Sequence, residues 1–281
     1  MRLDHRIFNE HQYALMNPLQ MDRRLASLWP STPLVPAELR AQQHVFPYLI
    51  DLGCMSADER LHALDRTVEY ARCHEQSPFS ALIASQESQA RLRSHLSRVM
   101  VRQVEGEKML FRYYDPRVWE CLLWILSEAQ IGSLLGPVVR WTAPLVGGED
   151  WISYVGTGMS QEPLVFDATQ LRAIASLASV NRVVARLNVD VEQVMRPDGL
   201  TQRIYKEIEC ARSFGLTDLD DQEAFAHISI SESPLIHENL DFREAIHIAK
   251  ADPGAYRSIV TSLVEHLHAQ PLNICESYGA R

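Results

Sequence analysis

Up to about residue 145 short runs of alternating apolar and polar residues take turns with stretches of helical period, and beyond Pro163 only the helical period remains. Neither one sandwich nor one helical bundle accommodates that switch. Strands interleaved with helices predict an α/β lobe, and a run of helices without strands predicts a separate helical one. The fold class expected is therefore an α/β N-terminal lobe, a mixed sheet with flanking helices, followed by an all-α C-terminal lobe. The GGED tetrapeptide at 147–150 marks the boundary, giving an α/β domain over 1–148 and a helical lobe over 149–281. A chain of 281 residues is long enough for each part to bury its own core.

Local signals place the elements. EHQYALMN (10–17) reads as a strand ended by Asn-Pro, MDRRLASLW (21–29) as a helix, and HVFPYLIDLG (44–53) as a strand. Ser56 followed three residues later by Glu59 has the spacing of a capping box and starts a helix over about 57–75. FSALIASQ is a strand, SQARLRSHLSRVM a helix, and VRQVEGEKMLFRYYD a hairpin turning at Glu-Gly-Glu, its second strand running to Tyr114. Asp115 suits an N-cap and Pro116 the first helical position, where a missing N–H costs nothing. That helix is expected to run to Gly136-Pro137, after which PVVRWTAPL returns as a strand. WISYVG is a short strand of the second lobe. The helices beyond it are DATQLRAIASLASVNRVVARLN, capped at Asp167 or Thr169, then TQRIYKEIECARSFG, DLDDQEAFAHISIS, FREAIHIAKA and PGAYRSIVTSLVEHLHA.

Charge is unevenly placed. Residues 1–145 hold 16 basic and 16 acidic residues and 146–281 hold 11 and 20, so the whole net charge of -9 lies in the C-terminal part. An acidic half without a basic stripe argues against nucleic acid as partner. No apolar run approaches the ~20 residues that cross a bilayer, and the start lacks the apolar stretch of a secretory signal, so a cytoplasmic protein without a membrane partner is expected. Arginine supplies 24 of the 27 basic residues, which suits planar contacts to carboxylates and aromatic faces.

Motifs for bond-making chemistry are missing from the sequence. The glycines at 147–148 and 156–158 fit neither a P-loop nor a dinucleotide fingerprint, and GxSxG and HExxH do not occur. Five cysteines include no CxxC pair, and the 11 histidines are isolated, so no cofactor and no metal are expected. DLDDQE at 218–223 lacks the glycine and distal Glu of a calcium loop and is read as helix-start acidity.

What remains is LFRYYDPRVWECLLWIL (110–126). As a strand it would point Leu110, Arg112 and Tyr114 one way and Phe111, Tyr113 and Asp115 the other. Each residue has a core, cap or ion-pair explanation, with Arg112 and Arg117 paired to Asp115 or Glu120. The other reading has Arg112, Tyr114 and Arg117 emerging at a strand-to-helix corner, where α/β sheets commonly place binding sites and where arginine and aromatic residues anchor interfaces.

The order of four features within about 50 residues, His95-Leu96, Phe111 to Arg117, Gln130, and Gly136-Pro137 with Trp141, resembles the adaptor or effector-chaperone proteins of bacterial type VI secretion, the Tap or TEC family. YALMN near the start resembles the family's beginning, although YALMNP stands where YAL(L/I)DG is usual and 30–45 is richer in proline; the family domain would span about 10–145. The resemblance implies a protein that is not an enzyme and that binds a toxic effector and brings it to the VgrG spike. The partner-binding residues expected are Arg93, Arg112, Tyr114, Arg117 and Trp141, with Arg117 foremost. Two other readings stand beside it: a hydrolase or transferase using His95 with Asp115, and an immunity-type protein that blocks a toxin.

Overall fold

A computed structural model describes the chain except residues 20–26, 105, 146–147, 157–162, 188–198 and 270–281. In chain order its elements are α1 (His5–Asn9), β1 (Tyr13–Met16), β2 (Ser31–Pro33), a 3-10 segment (Ala37–Val45), β3 (Tyr48–Asp51), α2 (Ala57–His74), β4 (Ala81–Ala84), α3 (Gln89–Val99), β5 (Val101–Val104), β6 (Glu107–Leu110), α4 (Pro116–Ile125), α5 (Glu128–Leu135), β7 (Arg140–Pro144) and β8 (Trp151–Val155). Among the described residues five helices follow: α6 (Ala168–Leu187), α7 (Leu200–Ser213), α8 (Leu219–Ser231), α9 (Leu240–Ala251) and α10 (Ala255–Ala269). A sheet with helices is thus followed, among the described residues, by helices alone, as expected. The expected helix over 21–29 falls mostly outside the described residues.

The main sheet has six strands in the order β2-β3-β1-β4-β7-β8, and every pairing is antiparallel. There is no common carboxyl edge of parallel strands, so the binding-site argument borrowed from such sheets does not apply. Both faces are covered, which is why all four residues of β1 are buried. Ala14, Met16, Ile50 and Leu82 face a cluster with Phe8, Ala63, Leu64, Phe79 and Trp151, to which α1 and α2 contribute. On the opposite face, the Trp141 ring packs at a tilt 5.0 Å from Trp119 of α4 and 6.0 Å from Tyr113.

The predicted caps are formed. Ser56 accepts the Glu59 N–H while Glu59 Oε2 accepts the Ser56 N–H at 2.7 Å, so two of the orphan donors at the start of α2 are satisfied. Three expectations differ. The strand after the hairpin turn stops at Leu110 rather than Tyr114, because a turn closed by the Asp115 N–H onto the Arg112 carbonyl replaces the extended chain. That turn defeats the period-two alternation, and Phe111, Tyr113 and Tyr114 all point inward. The helix from Pro116 ends at Ile125, since Ser127 opens a second helix with its own capping box to Gln130. Finally, β8 pairs with β7 across five residues, so WISYV completes the first lobe's sheet and does not open the second lobe. Gly148 to Asp150 lie against the first lobe and do not begin a linker: the Leu145 N–H donates to the Asp150 carbonyl, and Gly148, at φ +74, lies so close to Gln76 and Ser77 that a Cβ would sit 2.5 Å from the Ser77 nitrogen.

Two compact units result, residues 1–174 and 175–281, so the first extends beyond the boundary expected at 148; α6 begins in the first and continues in the second. The helical unit has its own core of Leu216, Phe225, Phe242, Ile246, Tyr256 and Val260 among others. Its buried Glu223 and His237 each have two polar partners. Glu223 receives Arg182 at 2.8 Å and Arg186 at 3.1 Å, and His237, stacked 3.5 Å over Phe225, lies between the Ser229 hydroxyl at 2.7 Å and the Tyr256 hydroxyl at 2.9 Å. Removing the imidazole from water pushes its pKa down to about 4, so it stays neutral.

Candidate functional site

The corner between the β5–β6 hairpin and α4 is organised by one carboxylate. Asp115 is the N-cap of α4: its Oδ1 accepts the Arg117 backbone N–H at 3.1 Å and Arg117 Nε at 3.1 Å, and its Oδ2 accepts Arg117 Nη2 at 2.9 Å. Arg112 reaches the same Oδ2 at 3.6 Å. The DPR sequence therefore folds back on itself, because Pro116 fixes the first helical residue and leaves the following N–H aimed at the cap. Arg117 nevertheless keeps 56% of its side chain exposed while Asp115 keeps 4%, so the pair presents a guanidinium outward over a buried anion.

This pair lines one side of a cleft of about 690 Å³, within the ~300–1,000 Å³ range usual for ligand sites. The floor is the β7–β8 edge of the sheet, which contributes Ala143, Ile152 and Tyr154; Trp119 and Glu120 of α4 form the wall, and His74, Glu75 and Gln76 at the end of α2 form the lip. Register explains the floor: Ala143 pairs with Ile152 and Trp141 with Tyr154, so these side chains share one face. Glu75 has φ +52, the single non-glycine residue at positive φ among those described. Glu120 has one carboxyl oxygen buried without a hydrogen-bond partner among the described residues, and burial pushes its pKa up to about 7. The same burial, with the Glu120 charge nearby, raises the Tyr154 phenol, which stays protonated.

Of the five residues expected to bind a partner, Arg117 alone lines the cleft. Arg112 is half-buried beside Asp115, and Arg93 is half-buried on α3. Tyr114 and Trp141 are wholly buried and, as the chain is folded, offer no surface to a partner. Trp141 is fixed by tertiary neighbours, Trp119 and Tyr113, that no local pattern reveals. Sequence reasoning missed Glu120 as a feature of a cleft, although the signal was present: it is the one charged residue in the apolar run VWECLLWIL.

The other signature residues are structural. His95 Nδ1 accepts from Arg98 at 3.3 Å and its Nε2–H donates to the Leu134 carbonyl at 2.9 Å, a tautomer assigned from that network. Both ring nitrogens are thus engaged away from Asp115, and the His95–Asp115 pair considered for catalysis is not formed. Gln130 closes the capping box of α5, and its side-chain amide donates to Val165 at 2.6 Å and to Gln170 at 2.9 Å. Among the described residues no three or more His, Cys, Asp or Glu side chains are gathered for a metal ion, and no helix is long and apolar enough to cross a membrane.

Residues 8–133 match the protein family described as "Domain of unknown function (DUF4123)". The matched span runs from the end of α1 to most of α5 and therefore includes the Asp115–Arg117 corner. No curated protein and no solved structure matches the chain.

Proposed function

We propose that this chain is a cytoplasmic adaptor of type VI secretion, which binds a toxic effector and promotes its loading onto the VgrG spike by protein contacts without bond-making chemistry. The observation that carries the reading is that the FRYYDPR segment, the central feature of the resemblance to the Tap or TEC proteins, forms one side of a cleft and holds an exposed arginine over it. The match of residues 8–133 to one family includes that segment. A cleft of this size with a few charged groups and aromatic walls suits a projecting side chain of a partner, and a releasable cargo needs only a modest interface.

Affinity capture of the tagged chain from its native cells, followed by identification of the bound proteins, tests the reading. Recovery of a spike component together with a toxin is expected, and deletion of the chain's gene is expected to stop secretion of that toxin while leaving it active. Capture of neither protein overturns the proposal. Capture of a toxin that is inactive while bound replaces it with the immunity reading.

A further inference from the structure

We propose that the cleft beside Glu120 is a socket for a cationic side chain, a lysine or arginine projecting from the bound partner protein. The inference rests on the adaptor reading only for the source of that side chain; the socket itself follows from the residues around it.

The charges lining the cleft do not cancel. Asp115 is already neutralised by Arg117, with a backbone and two side-chain hydrogen bonds, and Arg112 adds a second cation to the same carboxylate. That leaves Glu120 on the wall and Glu75 on the lip as carboxylates without a counter-charge of their own in the lining. His74, the remaining titratable group of the lip, spends Nδ1 on the Tyr70 carbonyl at 3.0 Å and stacks 4.0 Å over the Tyr70 ring. Tyr154, from the floor, stays protonated, and the other residues that β7 and β8 contribute to the lining, Ala143, Pro144 and Ile152, carry no charge. An anion entering here would meet two carboxylates; a cation would meet two partners.

Two features show that these carboxylates are held where they are against a cost. Glu120 sits with one oxygen buried and unsatisfied by the described chain, so the cost of burying its carboxyl is not offset by an internal donor. Glu75 occupies a left-handed backbone position that glycine or asparagine fills more easily, and such outliers gather at ligand sites. Beside Glu120 stand the rings of Trp119 and Tyr154, 5.5 Å apart and edge-on at 72°. A carboxylate next to aromatic rings suits an alkylammonium or guanidinium, whose stem is covered by the rings while its charge meets the carboxylate.

The experiment uses the full chain and three small probes: N-acetyl-lysine methylamide, N-acetyl-arginine methylamide and the uncharged N-acetyl-norleucine methylamide. Binding is followed by calorimetry and by the indole N–H resonance of Trp119. At pH 8 saturable binding of at least one cationic probe is expected, and none of the norleucine probe. Because Glu120 ionises at about 7, the apparent affinity should fall about tenfold at pH 6. Glu120→Gln, which matches the protonated acid in shape, should weaken the cationic probe at least about tenfold at pH 8 with the near-ultraviolet circular dichroism unchanged; Glu75→Gln, on the exposed lip, should weaken it about threefold. Equal binding of norleucine, absence of saturation by both cations at pH 8, or indifference to both substitutions overturns the proposal. The probes need no partner, so these outcomes are independent of whether capture from cells recovers a spike component.

Discussion

The imidazole of His95 fills the space that a side chain on Gly136 would need: a carbon added at Gly136 would lie 2.2 Å from His95 Cε1 and 2.4 Å from Nε2. The histidine of α3 and the glycine that ends α5, 41 residues apart, are two halves of one contact, closed by the hydrogen bond from His95 to the Leu134 carbonyl. Gly136 also has φ +54, where a Cβ is strained whatever the space. Gly136→Ala is therefore expected to destabilise the first unit by about 3 kcal/mol or more in chemical denaturation. Combining it with His95→Ala should recover only part of that loss, since the clash is removed and the backbone strain is not. Additive losses in the double variant would show that the two positions are independent.

Asp115 and Arg117 should behave unequally although they are partners. Asp115→Ala removes a helix cap and leaves Arg112, half-buried, without its anion, so a loss of about 2–4 kcal/mol is expected; Asp115→Asn keeps the cap and should lose less. Arg117→Ala removes a mostly exposed partner, worth at most about 1 kcal/mol, and should leave a folded protein with impaired partner capture. Unfolding of the Arg117 variant would assign that residue a structural role alone.

Glu120 sets a pH dependence in the first unit. Its carboxyl has an ordinary value of 4.5 and is pushed up to about 7 in the fold, so between those values the native state holds a proton that the unfolded chain has released. Stability falls as pH rises through that window, by roughly 3 kcal/mol if nothing else changes. Glu120→Gln should melt close to the wild type at pH 5 and several degrees above it at pH 8. Identical melting differences at both values would mean that Glu120 is not held protonated.

His237 gives the helical unit the opposite slope. Its pKa falls from 6.5 to about 4 on folding, so below 6.5 the unfolded state takes up a proton that the native state refuses. Stability from this group is complete above 6.5 and lost as pH drops toward 4, again by roughly 3 kcal/mol. Amide protection factors in α8 and α10, which hold Ser229 and Tyr256, should fall over that range more than in a His237→Gln variant.

Cap chemistry was legible in the sequence wherever it acts over three or four residues. Ser56 with Glu59, and Asp115 before Pro116, identified helix starts that the structure forms. Ser127 with Gln130 carried the same signal, and passing over it merged α4 with α5. Longer-range relations were not legible. GGED has a linker's composition, and only the pairing of β8 with β7 shows that the strand after it belongs to the first lobe. The turn at 112–115 depends on Asp115 serving as cap and as anion at once, so Tyr114 turns inward where alternation pointed it out. In the cleft Arg117 could be read from its motif; Glu75 could not, because its role comes from the backbone angle at the end of α2.

The family match stops at residue 133, while β7 begins at Arg140 and pairs along β4, next to the centre of the sheet. A polypeptide trimmed to 8–133 would lose two of six strands, strip Trp119 of its ring neighbour Trp141, and turn β4 into a raw edge whose amides and carbonyls seek another chain. Such a fragment should be recovered as aggregates, and the shortest piece worth expressing must reach past Val155.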